Sequence, residues 1–389
     1  MIIRGKQPGE SLYCTKCGTL LFVPEDSTSF NDDLPDAEVT IPNIPELPKP
    51  VLHSIRFTGD GTEYFKIWIM NLFLTIITFG IYSAWAKVRT KRYFYGNTLL
   101  DGTPFEYNAD PIRILIGRLI AFLLLAIAYI TRNTVPWASL VTIVVGFCFM
   151  PWLIYKSLRF NARYSSYRNI NFAFTGTVSA TYGNFFLWQL LGMLVGLVKP
   201  VADYNQTNFV VSNYRYGKTS FSYSGSIGKF YEVFGITFAM GIGAYIIAIP
   251  LFMALGSMGG TAPSATNTVT LIILAFLAGF AALFIYAYTK TKKVELLYNY
   301  IQLNYGKVKT SLKFLDVFKL YVVNYLLLVF TVGIATPWVM VRNARYMTEN
   351  IHVELSGGWD QFEAGDRTAM GAIGEEVGDV FNYDFDIGL

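Results

Sequence analysis

Seven apolar runs, at 67–86, 114–130, 135–155, 185–201, 233–256, 269–288 and 317–340, set the rhythm of the sequence. Each approaches the ~20 residues that a helix rising ~1.5 Å per residue needs to cross ~30 Å of hydrocarbon. Between the runs lies a second pattern. "IRFTG" (55–59), "FEYNA" (105–109), "FAFTG" (172–176), "FSYSG" (221–225), "LKFLD" (312–316) and "VELSG" (353–357) alternate large apolar residues with others. Most then turn at a small residue, as a short strand leading into a helix does. The two patterns together predict a polytopic α-helical membrane protein with internal repeats, carrying short cytoplasmic strands in a small sheet layer.

Sliding the sequence by 253 positions lays Asn71 on Asn324, Gly80 on Gly333, Trp85 on Trp338, Arg89 on Arg342, Arg92 on Arg345, Tyr93 on Tyr346 and Asn97 on Asn350. A slide of 116 recovers a weaker middle copy, with Gly80 on Gly196 and Asn97 on Asn213, and Pro200 of "GLVKPV" answers Pro337 of "GIATPW". The middle copy has Asn205 and Asn208 where the others have arginines. Internal repetition of this kind marks a fold built from one unit used several times. The spacing predicts units at 55–170, 172–310 and 312–357.

Strands cannot leave open edges in hydrocarbon, where an unpaired backbone group costs several kcal/mol. Six matching strands on one side therefore require an even number of crossings between them. The pairs 114–130 with 135–155, and 233–256 with 269–288, satisfy this as membrane hairpins. The single runs 67–86, 185–201 and 317–340 satisfy it only as broken or re-entrant segments, turning near Gly80, Gly196 and Gly333. Charge points the same way: the connectors within the hairpins hold one Arg between them, while Lys and Arg gather at 87–113, 156–168, 215–229, 290–313 and 342–345. The positive-inside rule assigns all of those stretches to the cytoplasm, and the N- and C-termini with them.

Composition supports a membrane protein: 53% of the 389 residues are hydrophobic and 15% charged. The net charge of +4 conceals a basic body between acidic flanks, since residues 51–355 hold 26 Lys/Arg and 11 Asp/Glu. Six prolines between 24 and 50 read as an extended acidic linker. The chain thus divides into a knuckle at 1–23, the linker at 24–50, a repeat-built membrane domain at 51–357 and an acidic tail at 358–389. The polar opening, Met1 to Glu10, contains no cleavable signal.

Candidate chemistry is sparse. "YCTKCG" offers Cys14 and Cys17 as half of a zinc ribbon, and a closed site needs four thiolate or imidazole ligands. A second chain in a homo-oligomer would have to complete it; otherwise the pair is an unmetallated dithiol. Motifs for hydrolysis or nucleotide binding are absent, and two histidines leave little for acid–base catalysis. An enzyme is not expected, nor a nucleic-acid partner. The arginine repeats "RTKRYFYGN" and "RNARYMTEN" suit lipid phosphates, with Tyr and Trp at headgroup level, or an anionic ligand held by the repeat residues.

"TFGIYSAWAKVRTKRYFYGNTLLDGTPFEY", "YSSYRNINFAFTG" and the ending "GEEVGDVFNYDFDIGL" resemble the bacterial YjgN-like family of inner-membrane proteins, over residues 51–389. The resemblance implies an inner-membrane location and a repeated architecture and carries no substrate or active site. The function expected is transport or permeation of a small solute or lipid. The alternative is a membrane-anchored scaffold or sensor acting through the strand layer and the knuckle.

Overall fold

The computed structural model describes residues 11–13, 20–22, 50–132, 138–257, 265–304, 306–356, 359 and 362. Two compact units divide the chain, Met1–Leu47 and Pro48–Leu389. In the first, β1 (Ser11–Tyr13) pairs antiparallel with β2 (Leu20–Phe22). Cys14 and Cys17 lie outside the described residues.

The second unit repeats one motif five times: a leading strand, a pair of antiparallel helical segments, and a trailing strand that returns beside the first. The first copy runs β3 (Val51–Phe57), α1 (Gly61–Ile77), α2 (Ser83–Gly96), β4 (Thr98–Leu100). The second runs β5 (Thr103–Tyr107), α3 (Pro111–Arg132), α4 (Ala138–Tyr164), β6 (Ser165–Tyr167). The third runs β7 (Ile170–Phe174), α5 (Val178–Tyr182), a π-helical turn at Gly183–Leu187, α6 (Trp188–Leu194), α7 (Lys199–Asn213), β8 (Tyr214–Tyr216). The fourth leads with β9 (Thr219–Ser220) and β10 (Ser222–Tyr223), then α8 (Ile227–Ser257), α9 (Ala265–Tyr298) and β11 (Ile301–Leu303). The fifth is β12 (Gly306–Thr310), α10 (Phe314–Phe330), α11 (Thr336–Glu349) and β13 (Ile351–Leu355).

One hydrogen bond recurs at every root. The residue after each leading strand donates its N–H to the carbonyl of the residue before the trailing strand: Thr58 to Asn97, Asn108 to Tyr164, Thr175 to Asn213, Ser224 to Tyr300 and Ser311 to Asn350, each at 2.9 Å. Asn97, Asn213 and Asn350 also turn their side-chain amides back onto the carbonyl four residues earlier. Asn tolerates the break from helix to strand because its short amide satisfies a carbonyl the helix leaves open.

Eleven strands form one antiparallel sheet in the order β10-β11-β12-β13-β3-β4-β5-β6-β7-β8-β9. Its two ends, β9 and β10, are separated in sequence by Phe221 alone, so the sheet curls into a nearly closed barrel. Closure protects the edges that so many short strands would otherwise expose. Because every neighbour is antiparallel, all five helical pairs leave from one end and the tight turns lie at the other. Asp101-Gly102 and Arg168-Asn169 make two of those turns with positive φ throughout (50° and 74°, 48° and 61°), the hand that matches strand twist. The helices pack in a ring of their own, each on the next, with α11 closing back onto α1.

This architecture corrects the expected fold class. The strands are no small layer; they form the organising barrel, and the molecule is not a polytopic helical bundle. Residues 312–316 are not a strand: 312 and 313 lead into helix α10, which opens at Phe314. The runs at 67–86, 185–201 and 317–340 are not isolated re-entrant segments: each breaks near its glycine, and the break is the turn of a helical hairpin rooted in the barrel. Gly80 and Gly333 sit in the helix–helix turns, after Phe79 and Val332, all four at positive φ. Among the described residues two helical stretches are long and apolar enough to span a bilayer, Ile227–Ile249 and Ile273–Tyr298. Apolar alternation marked the strands, yet a closed barrel arises from partners far apart in sequence, which a local pattern does not encode.

Candidate functional site

The barrel interior is the place where the five copies converge. Each leading strand sends alternate side chains inward, and Ile55, Phe105, Phe172 and Val308 meet Leu100, Tyr167, Tyr216, Ile301 and Ile351 of the trailing strands. Tyr95 and Tyr298 reach in from helices α2 and α9. These residues surround a cavity of about 180 Å³ whose walls are almost wholly aromatic and aliphatic. The tyrosine hydroxyls among them point into the wall: Tyr167 donates to the carbonyl of Leu100 at 2.7 Å and Tyr216 to that of Tyr167 at 2.9 Å. Burial pushes both hydroxyls well above the ordinary phenol range, so they stay protonated donors.

The tight-turn end is covered by the chain itself. After β13, Trp359 and Phe362 fold over the rim and line the cavity. Phe362 is buried and packs on Tyr216 with ring centroids 5.4 Å apart. Trp359 meets Tyr167 edge-on at 5.2 Å and His53 at 5.6 Å, with the Arg168 guanidinium 5.3 Å from its ring. Its indole N–H donates to Asp101 Oδ2 at 2.6 Å, and His53 Nδ1 lies 2.6 Å from the same oxygen. His53 Nε2 is buried without a hydrogen-bond partner among the described residues. Asp101, Arg168 and His53 thus come from two turns and a strand to clasp the returning tail.

At the opposite end the helical pairs carry the repeat residues singled out by sequence. Thr78 and Thr331 each bond back to the carbonyl four residues earlier and accept an N–H four residues later, which folds the tip over. Phe79 and Val332 crown these tips at 97% and 90% exposure. Asn71 and Asn324 are buried between the helices of their pairs: Asn71 reaches the Ala86 carbonyl at 3.5 Å, while Asn324 donates to Asn343 at 2.6 Å. Trp338 stacks on Phe65 at 4.9 Å and so joins α11 to α1. Trp85 stacks against Tyr82, and Pro200 and Pro337 are buried in the first turns of α7 and α11. Gly196 lies in a short 3-10 turn before α7.

The four repeated arginines divide into two kinds. Arg345 donates to the carbonyl of Gly59 at 2.7 Å, and Arg92 to that of Ala109 at 3.2 Å. Gly59 and Ala109 hold equivalent places in successive copies, so these two arginines tie neighbouring units together. Tyr93 acts within the first unit, exchanging hydrogen bonds with the Asp60 backbone at 2.9 Å in both directions; burial, chiefly, pushes its hydroxyl up to about 12. All four are exposed, and Arg89 and Arg342 differ from the other two in making no hydrogen bond or ion pair among the described residues. The barrel cavity and the tail that covers it are not marked by the sequence patterns, although Trp359 and Phe362, two large aromatics opening an acidic ending, are a signal. Among the described residues no group of three or more His, Cys, Asp or Glu is placed to hold a metal ion.

The family described as "Bacterial protein of unknown function (DUF898)" matches residues 52–380. The inner membrane protein YjgN of Salmonella typhimurium strain LT2 is 29% identical over 143 residues, 36% of this chain and 36% of that protein. The inner membrane protein YjgN of Escherichia coli strain K12 is 31% identical over 148 residues, 38% of this chain and 37% of that protein. The matched stretch therefore spans little more than a third of the length of these curated relatives. No solved structure matches the chain.

Proposed function

The chain belongs to the DUF898 family of bacterial proteins, and from that membership we propose that it is an inner-membrane lipid-handling protein whose barrel shelters an apolar group. The observation that carries this reading is the aromatic-walled cavity of about 180 Å³ inside a nearly closed barrel. A cavity of ~150 Å³ lined by apolar side chains stays dry and takes up a ring the size of benzene, so this one suits a ring or a short alkyl segment. A lumen so poor in polar groups would resist an ion or a sugar, which must exchange its water for oxygen or nitrogen partners.

The helical end of the barrel faces the bilayer in this reading. Its tips expose large apolar side chains, and soluble surfaces rarely gather such patches. The 18-residue apolar windows of α8 and α9 are only 6% buried, as lipid-facing helices are. The barrel lies on the cytoplasmic side, because the basic residues of 87–113, 156–168 and 290–313 sit at the helix roots around it.

The test is to purify the protein in a neutral detergent and identify by mass spectrometry the lipids that remain. Wild type is expected to retain a defined lipid species, and Val308→Phe, which fills the lumen, to lose it. Equal retention by both would overturn the lumen as the site. The reading would then pass to a membrane-anchored scaffold whose barrel rim binds a partner.

A further inference from the structure

Arg342 has no structural task that the fold makes visible. It is exposed on α11 and, among the described residues, neither hydrogen-bonded nor ion-paired. With Lys319 of α10 it faces an open cavity of about 410 Å³, bounded also by Asp316, Arg345, Tyr346 and Glu349. Lys319 is itself exposed, its ammonium 3.7 Å from Asp316.

The first unit holds this set without Glu349, where it has Gly96: Glu63, Lys66, Arg89, Arg92 and Tyr93 stand 253 residues before Asp316, Lys319, Arg342, Arg345 and Tyr346. Lys66 and Arg89 are likewise exposed. Neighbouring positions in the same helices have diverged, with Asp60 against Lys313, Tyr64 against Val317 and Thr90 against Asn343. Arg92 and Arg345 are explained by their carbonyl ties, but the Lys–Arg pairs are not, and the third unit has Tyr182 and Asn205 in their place. Arg89 and Arg342, kept in both copies without a hydrogen bond or ion pair among the described residues, are free to contact something outside the fold, and a lysine accompanies each.

Depth says what that is. Lys319 stands twelve residues before the tip residue Thr331, and Lys66 twelve before Thr78, about 18 Å along a helix. Half of a hydrocarbon core is ~15 Å. A tip lying in the hydrocarbon near mid-bilayer puts both Lys–Arg pairs at the level of the lipid phosphates. Arginine pairs with phosphate in a two-pronged fashion, and lysine adds a mobile point charge.

We propose that Lys319 with Arg342, and Lys66 with Arg89, are two equivalent sites for the phosphate of an anionic lipid headgroup. The inference rests on the membrane position argued under the proposed function. Full-length protein, stripped of lipid in a neutral detergent, is titrated with phosphatidylglycerol and read by native mass spectrometry. In a Val308→Phe background, which fills the lumen, the protein should retain two lipids, the addition of K319Q/R342Q should leave one, and the further addition of K66Q/R89Q none. K319R/R342K, which preserves charge, should keep the second lipid, and thermal melts establish that each variant is folded.

Unchanged retention by the folded quadruple variant would overturn the sites. Displacement of the lipid by inorganic phosphate at equal concentration would assign them to free phosphate and overturn the lipid. Flotation with vesicles of phosphatidylglycerol and phosphatidylcholine separates the two readings: loss of retained lipid in variants that still float supports the sites. Failure of wild type to float would overturn the membrane position instead.

Discussion

The indole N–H of Trp359 donates to the carboxylate of Asp101 at 2.6 Å, joining the segment that leaves the last strand to the first tight turn of the barrel. Asp101 accepts His53 on the same oxygen, so one carboxylate fixes both the first strand and the returning tail. A bond to an ionised acceptor is worth about 1.5–3 kcal/mol, more than a neutral one. Both residues sit at the rim of an apolar cavity, so this bond controls access to it as well as stability.

Trp359→Ala should open the barrel. The variant loses the indole bond and the edge contact with Tyr167, and its cavity enlarges toward solvent. Uptake of a fluorescent apolar dye should rise several-fold over wild type while the thermal midpoint falls. Asp101→Asn keeps a residue that tolerates positive φ and should cost about 1–3 kcal/mol with a smaller rise in dye binding. Equal dye uptake by wild type and Trp359→Ala would show that the tail does not cover the lumen.

Gly306→Ala should disrupt the fifth unit. A Cβ at Gly306 would stand 2.1 Å from the backbone oxygen of Glu354 and 2.9 Å from a methyl of Leu355. Backbone of the paired strand β13 cannot swing aside as a side chain can. The ladder between β12 and β13 must shift, at about 1–3 kcal/mol or more. Amide exchange would report it, with faster exchange across Val308 and Val353 than in the β6–β7 hairpin.

The two repeat asparagines should respond differently to leucine. Asn71 makes one long bond, at 3.5 Å, and its Oδ1 is buried without a partner, so Asn71→Leu removes an unsatisfied acceptor and should be close to neutral. Asn324 Oδ1 is equally buried without a partner, so the contrast rests on its amide, which donates to Asn343 at 2.6 Å; Asn324→Leu leaves that amide oxygen without its donor. The expected difference in unfolding free energy is about 1–2 kcal/mol, read from denaturation in the same detergent. Equal effects would mean that the amide pair contributes nothing.

Much of this organisation was legible because the repeat exposes itself in sequence. The slide of 253 put turns near Gly80 and Gly333, where the helices do reverse, and matched Asn97 with Asn350, which the structure shows as the C-caps of α2 and α11, since turns and caps depend on a few residues at fixed offsets. The barrel was not legible. Strands of two to seven residues carry too little alternation to identify a partner, and β3 pairs with β13 across nearly the whole unit. The second and fourth copies hid behind long apolar helices that dominate any hydropathy reading. Arg345 illustrates the remainder: its motif suggests a phosphate ligand, but its guanidinium meets the Gly59 carbonyl of a neighbouring unit, a pairing that no local spacing announces.

Stability should fall with acid through a carboxylate at the seam between β12 and β13. Glu354 accepts Lys309 and stands 3.4 Å from Lys307, both on the facing strand. The bond from Lys309, then the charge of Lys307, holds its carboxyl below the ordinary value of 4.5. A carboxyl whose folded pKa is depressed contributes stability that is complete above its unfolded pKa and is lost as the pH falls through the folded one. Glu354→Gln lacks that contribution at every pH. The gap in thermal midpoint between wild type and variant should therefore be constant from neutrality down to about pH 4.5 and close below it. Asp60, held low by the N–H groups of Glu63 and Thr62, titrates in the same direction and leaves wild type acid-sensitive even where the gap has closed. Salt should narrow the gap at neutral pH, because the two lysines are half exposed and their attraction is screened. A gap that is absent at pH 7, or that persists unchanged far below 4.5, would exclude the lysine clasp as its origin.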